Sequence, residues 1–171
     1  MLGAKNEKVA YMLGVKKEKV ACMLGVKNEK VTMTKILFVC HGNICRSVMA
    51  EMLLQHMVNE AGRADEFYID SCATSTEEIG NDIYPPAKRC LTAHGIPFTR
   101  HEARQITMAD YDRFDHIICM ERYNIRNLPK VTDKVRMLLD RDVADPWYTG
   151  DFETTYRDLV EGCDKIIREG I

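Results

Sequence analysis

The chain has 171 residues, 46% hydrophobic and 29% charged, which suits one domain with a packed core and excludes global disorder. Its longest strongly apolar run, Ile36 to Cys40, is too short to cross a bilayer, and the first residues lack the apolar stretch of a secretory signal, so a cytoplasmic protein with no membrane partner is expected. The net charge of −2 is uneven: seven Lys and three Glu give residues 1–32 a charge of +4, leaving −6 for residues 33–171, and an acidic domain is a poor counterion for nucleic acid.

The chain begins with an internal repeat. MLGAKNEKVAY, MLGVKKEKVAC and MLGVKNEKVTM follow one another with a period of eleven. The apolar positions of each unit spread too widely to make one helical face, and Gly3, Gly14 and Gly25 weaken a helix by about 1 kcal/mol each. Residues 1–33 therefore read as a non-catalytic extension, and residues 34–171 as the domain.

From residue 34 strands and helices alternate. Lys35 to Val39 is an apolar run suited to a buried strand. A Gly-containing loop, Cys40 to Arg46, follows, and Ser47 opens a helix that ends near Gly62. Phe67 to Asp70 reads as the second strand, and Pro85 and Pro86 open a helix running through Cys90 to Gly95. Asp115 to Met120 reads as the third strand, with a short helix stopping at Pro129. Lys134 to Leu139 reads as the fourth, and Asp151 to Arg168 as the last helix. This order predicts a single α/β domain, a four-stranded parallel sheet with helices on both faces in the flavodoxin-like manner. Ligands in such sheets bind beyond the carboxyl ends of the strands, which directs attention to the loop after the first strand.

Seven cysteines, at 22, 40, 45, 72, 90, 119 and 163, form no CxxC pair and no zinc-ligand spacing. Cys90 and His94, four apart, read as a part-buried thiol beside a surface histidine. Without a secretion signal the thiols should be reduced. That singles out Cys40 by its setting. In a tight loop entering a helix, backbone N–H groups form an anion nest that fits a phosphate. Arg46 adds a planar fork for two oxygens. The same groups favour the thiolate of Cys40 at the base of the ring, and Ser47 is placed to cap the helix and to donate to that sulfur. A phosphocysteine mechanism also needs an acid for the leaving oxygen. Asp145 is the candidate, followed by Pro146, Trp147 and Tyr148. Because Asp-Pro is also a common turn dipeptide, the residues alone leave Asp145 open between a structural and a catalytic role.

Val39-Cys-His-Gly-Asn-Ile-Cys-Arg-Ser47, followed by Met49-Ala-Glu51, resembles the phosphate loop of low-molecular-weight protein tyrosine phosphatases. Asp70 to Ser75, His94 to Pro97, Ala103 to Ile106, Ile118 to Met120, Asp145 to Tyr148 and Asp151 to Thr154 follow in the family's order. The resemblance spans essentially residues 34–171. It implies a cysteine-dependent protein-tyrosine-phosphatase that hydrolyses phosphotyrosine and aryl phosphates through a phosphocysteine. Cys40 would be the nucleophile, Arg46 the phosphate clamp, and Asp145 the acid and then the base. His41, Gly42, Asn43, Ile44, Cys45 and Ser47 would complete the phosphate loop. Asn43 would hold its shape through Ser71 and His101, Trp147 and Tyr148 would wall the substrate, and Cys45 would protect Cys40 as a disulfide. No metal or organic cofactor is implied. Partners would be phosphotyrosine-containing proteins and, further, a tyrosine kinase.

The sequence also departs from the pattern. Val48 stands where the family usually has Pro, His41 replaces a commoner Leu or Thr, and Glu77 sits where some members carry an aromatic. Protein-arginine phosphatases and thioredoxin-coupled arsenate reductases share this fold and are the alternative readings. The former typically have Thr in place of Ile44, and the latter need a second redox-cysteine pair that this chain lacks.

Overall fold

The structure is a computed structural model that describes residues 32–169; the repeat, apart from Thr32 and Met33, lies outside the described residues. The first strand, β1 (Thr34–Cys40), is fully buried from Ile36 onward, as expected for an apolar run covered on both faces. It leads through a loop into helix α1 (Arg46–Glu60). After a 3-10 turn (Ala64–Glu66) comes β2 (Phe67–Ala73), then α2 (Pro85–Ala93) and α3 (Met108–Arg113). The chain continues with β3 (His116–Cys119), α4 (Arg122–Arg126), β4 (Val135–Met137), the single turn α5 (Pro146–Thr149) and α6 (Phe152–Glu169).

All strand pairs are parallel and the order is β2-β1-β3-β4, the flavodoxin-like arrangement. Successive side chains of β1 divide between two cores. Ile36 and Phe38 pack with Leu53, Leu54 and Leu159 from α1 and α6. Leu37 and Val39 pack with Tyr111, Phe114 and Leu128 on the opposite face. α6 approaches closely at Gly162, where a Cβ would lie 2.3 Å from Leu138 Cγ. The chain leaves β1 toward β2 on one side, and β3 enters on the other. The carboxyl end of β1 is therefore a topological switch point, where a crevice opens above the sheet.

Several boundaries differ from the sequence reading. β2 runs three residues past Asp70, because β1 pairs with it along its whole length, from Thr34 opposite Phe67 to Cys40 opposite Ala73. β4 is only the three residues that face Ile117 to Cys119 across the ladder. α1 starts at Arg46 with Cys45 in the capping position and no side-chain cap, so Ser47 does not cap it. α2 stops at Ala93, with Gly95 in the left-handed region and Ile96 N–H donating to Leu91 O. α3 and α5 are additional; α3 is opened by a capping box between Thr107 and Asp110.

Candidate active site

Cys40 is the last residue of β1, and the loop that follows is pinned from outside. The carbonyl oxygens of Cys40, His41 and Ile44 accept from the backbone N–H groups of Thr74 (2.9 Å), Ser75 (3.0 Å) and Tyr84 (2.9 Å). The Asn43 carbonyl lies 3.1 Å from His101 Nε2. With the carbonyls turned outward, the N–H edges are left for the interior of the loop. There Asn43 N–H donates to Cys40 Sγ at 3.2 Å, and Ser47 Oγ lies 3.0 Å from the same sulfur.

Asn43 has φ 59° and is the non-glycine residue in the left-handed region among the described residues; Asn tolerates this conformation better than most side chains. Its buried amide is saturated. Nδ2 donates to Ser47 Oγ (3.0 Å) and Ser71 Oγ (2.8 Å). Oδ1 accepts from Arg104 N–H (3.1 Å) and lies 3.0 Å from His101 Nε2. Since both partners of His101 Nε2 are acceptors, that nitrogen carries the proton. Burial holds the His101 pKa below its ordinary value, outweighing the bond to Asn43 and the nearby Asp70. Ser71 Oγ in turn donates to Glu51 Oε2 at 2.5 Å. Burial pushes the Glu51 carboxyl up to about 7 against the Ser71 bond, with Asp70 adding to the shift.

Arg46, 2% exposed, begins α1 and lines the cleft. Its Nη2 donates to Glu121 Oε1 at 2.8 Å and lies 2.6 Å from Asp145 Oδ2. Burial alone would lower its pKa, but Cys40, Glu121 and Asp145 together hold it above the ordinary value. Its Nη1 is buried with no hydrogen-bond partner among the described residues. A buried guanidinium nitrogen without an acceptor is costly, and an anion in the loop would supply one.

Asp145 caps α5, with Oδ1 accepting from Trp147 N–H at 3.0 Å. Trp147 packs against Tyr84, ring centroids 5.1 Å apart, and Tyr148 is exposed. The cleft encloses about 420 Å³ and brings together the loop from Cys40 to Arg46 with Asp145, Trp147 and Tyr148. Ser47, Ser71 and His101 lie behind the loop, in contact with Cys40 or Asn43. At the rim His41 Nε2 meets Glu77 Oε2 at 3.0 Å. Val48, in the position usually held by Pro, is fully buried. Cys40 and Cys45 are both free thiols. Burial, followed by the neighbouring Cys40 and Asp145, pushes Cys45 up to about 12, so it stays a neutral thiol.

Several residues of the site escaped the sequence reading. Glu121 stands just past the end of β3, the neighbour of β1, so strand order together with the carboxyl-end rule would have located it. Glu78 and Tyr123 also line the cleft. Arg104, tied to Asp70 and Asp110 at 3.0 Å each, presents its N–H to Asn43, and no local motif signals that contact.

Comparison with known proteins gives a consistent result. The family model described as low molecular weight phosphotyrosine protein phosphatase matches residues 35–169. The human low molecular weight phosphotyrosine protein phosphatase is 38% identical over 149 residues, covering 78% of this chain and 94% of its own. The crystal structure of the low molecular weight protein tyrosine phosphatase from Streptococcus pyogenes superposes with a TM-score of 0.74 at 38% identity, over 80% of this chain and 93% of that one. YfkJ from Bacillus subtilis superposes at 0.77 with 35% identity, over 81% and 94%.

Proposed function

The chain belongs to the low molecular weight phosphotyrosine protein phosphatase family, a family of cysteine-dependent hydrolases acting on phosphotyrosine proteins, and we propose that Cys40, Arg46 and Asp145 carry its chemistry. The observation that carries this reading is Arg46. Its guanidinium is buried between Glu121 and Asp145, with Nη1 lacking a hydrogen-bond partner among the described residues.

In the first step the Cys40 thiolate attacks phosphorus in line. The S–P bond forms as the bond from phosphorus to the phenolic oxygen breaks, and a protonated Asp145 gives that oxygen its proton. In the second step Asp145, now a carboxylate, takes a proton from water as the water oxygen attacks phosphorus. The P–S bond breaks and the thiolate returns. Arg46 and the inward N–H groups hold the non-bridging oxygens throughout, stabilising the charge that develops on them. An incoming phosphate competes with Asp145 for Arg46 Nη2. Ile44, Trp147 and Tyr148 supply the apolar wall for the phenyl ring.

The remaining parts of the reading concern setting. Residues 34–171 carry the activity, and a chain beginning at Met33 keeps it. The substrates are phosphotyrosine proteins, with a tyrosine kinase as a further partner. The setting in this reading is cytoplasmic. No helix among the described residues is long and apolar enough to cross a membrane. Under peroxide, Cys40 is oxidised to a sulfenic acid; the Cys45 sulfur attacks the Cys40 sulfur, the S–S bond forms as the S–O bond breaks, and the hydroxyl leaves as water with the Cys45 thiol proton.

The test compares phosphotyrosine, phosphoarginine and arsenate as substrates for the purified chain. Phosphotyrosine should be hydrolysed with the highest kcat/KM. Preferred hydrolysis of phosphoarginine, or thiol-coupled reduction of arsenate, would overturn the assignment.

A further inference from the structure

We propose that Cys90, His94 and Glu153 form a binding site for one zinc-class divalent cation, bridging α2 to the start of α6. The sequence offers only Cys90 and His94, one helical turn apart. Folding brings a third donor, from a residue 59 positions beyond His94. His94 Nε2 lies 2.9 Å from Glu153 Oε2, and Cys90 Sγ lies 3.8 Å from Glu153 Oε1. One donor atom from each residue lies within 4.8 Å of the others.

Zinc bonds of ~2.0–2.3 Å in tetrahedral geometry place donor pairs about 3.3–3.7 Å apart. The three side chains therefore need shifts of only a fraction of an ångström to about one ångström to close on an ion. The imidazole is already oriented, because it stacks on Tyr156 with centroids 3.7 Å apart and planes at 11°. Cys90 is buried and Glu153 exposed, so the site has an inner sulfur and an open outer face. One sulfur, one nitrogen and one carboxylate oxygen make a borderline-soft donor set. Such a set suits Zn²⁺ or Co²⁺ and not the oxygen-seeking Mg²⁺ or Ca²⁺.

The Cys90 thiol here faces Phe152 O at 3.7 Å. On metal binding its S–H bond breaks, a sulfur–metal bond forms, and the proton leaves to solvent, so each ion bound displaces one thiol proton. The site is separate from the catalytic cleft, although Cys90 and Glu153 share a surface groove with Pro146, Trp147 and Gly150 of the acid segment.

The probe is Co²⁺, whose bond to a thiolate gives a charge-transfer absorption in the near ultraviolet. Titration of the metal-free full chain should produce that band with one equivalent bound, and Zn²⁺ but not Mg²⁺ should displace it. Cys40→Ser should show the same band, and Cys90→Ser should show none. His94→Gln and Glu153→Gln should weaken Zn²⁺ by more than the roughly 10–100-fold that loss of an outer-shell partner costs. Because Glu153 is largely exposed and His94 about one-third exposed, their variants carry the test even if Cys90→Ser fails to fold. Metal-free His94→Gln should hydrolyse an aryl phosphate as the parent does. Absence of the band in the parent chain, its loss in Cys40→Ser, its persistence in folded Cys90→Ser, or unchanged Zn²⁺ affinity in His94→Gln would each overturn the proposal.

Discussion

Residues 40–47 and residues 145–150 face each other across one cleft, yet they are held in different ways. In the phosphate loop only His41 and Gly42 escape full burial, whereas in the acid segment only Pro146 is fully buried. The loop's carbonyls and the Asn43 amide are bonded to residues from β2, the segment before α2, and the stretch from His101 to Arg104. The acid segment mostly bonds to itself, through Trp147, Thr149 and Gly150. Its ties outward include the Asp145 pair with Arg46, the contact of Trp147 with Tyr84, and bonds from Asp151 N–H to Thr149 Oγ1 and from Phe152 N–H to Gly150 O at the start of α6. Cys40 and the N–H groups around it are thus built into the fold, while Asp145 sits on a short capped turn. Changes in the loop should cost structure as well as chemistry, and changes in the acid segment should cost chemistry alone.

The largest effect is expected at the sulfur. Cys40→Ser should show no measurable turnover and yet bind phosphate or vanadate, because the nest is backbone and Arg46. Loss of anion binding in a folded Cys40→Ser would mean that the loop needs the thiolate for its shape. Next, Asp145→Ala should slow aryl phosphate hydrolysis by ~10²–10⁴, the usual worth of a general acid, with smaller losses for more acidic phenols. Its Tm should stay near that of the parent, and a large fall in Tm would break the contrast between the two regions.

Asn43→Ala sharpens the same contrast from the other side. It places a side chain with no local bonds at φ 59° and leaves Ser47 Oγ, Ser71 Oγ and Arg104 N–H without their shared side-chain partner, while His101 Nε2 keeps only the residue 43 carbonyl. A stability loss of about 2–4 kcal/mol is expected by denaturant titration, together with lower kcat. Normal stability would show that the loop is held by its carbonyl bonds alone.

The smallest effect concerns Glu51, behind the loop. Its carboxyl sits at about 7 in the folded chain against 4.5 when free. Between these values the folded state holds a proton that the unfolded state has lost. The associated stability is therefore complete below pH 4.5 and lost as pH rises through 7. Relative to Glu51→Gln, the parent chain should lose at most about 3 kcal/mol across that window. Parallel pH profiles for the two proteins would contradict the burial of that charge.

The contrast also explains what was legible in the sequence. β1, the loop and α1 were readable because an apolar run, a Gly-containing turn and a segment with recurring apolar residues, among them Met49, Leu53 and Val58, follow one another locally. The second half of β2 was not, since Asp70-Ser71 looks like a turn until Asn43 and Glu51 are seen to satisfy Ser71. The Thr107–Asp110 capping box was present in the sequence and went unread. Cys40, Arg46 and Asp145 line one cleft, but Glu121, 75 positions from Arg46, could be placed only by strand order. In the same way, Glu153 gives Cys90 and His94 a third neighbour that spacing alone could not supply.

The central claim is that Cys40 takes the phosphoryl group and Asp145 serves both halves of the reaction. Its most direct test is rapid acid quenching during turnover of an aryl phosphate with an acidic phenol, followed by mass spectrometry of the digested protein. The account predicts a phosphoryl group on the peptide holding Cys40, bound through sulfur. It should accumulate further in Asp145→Ala, where the water-activating base is missing. Turnover with no phosphoryl adduct, or an adduct on Cys45 or any residue other than Cys40, would contradict it.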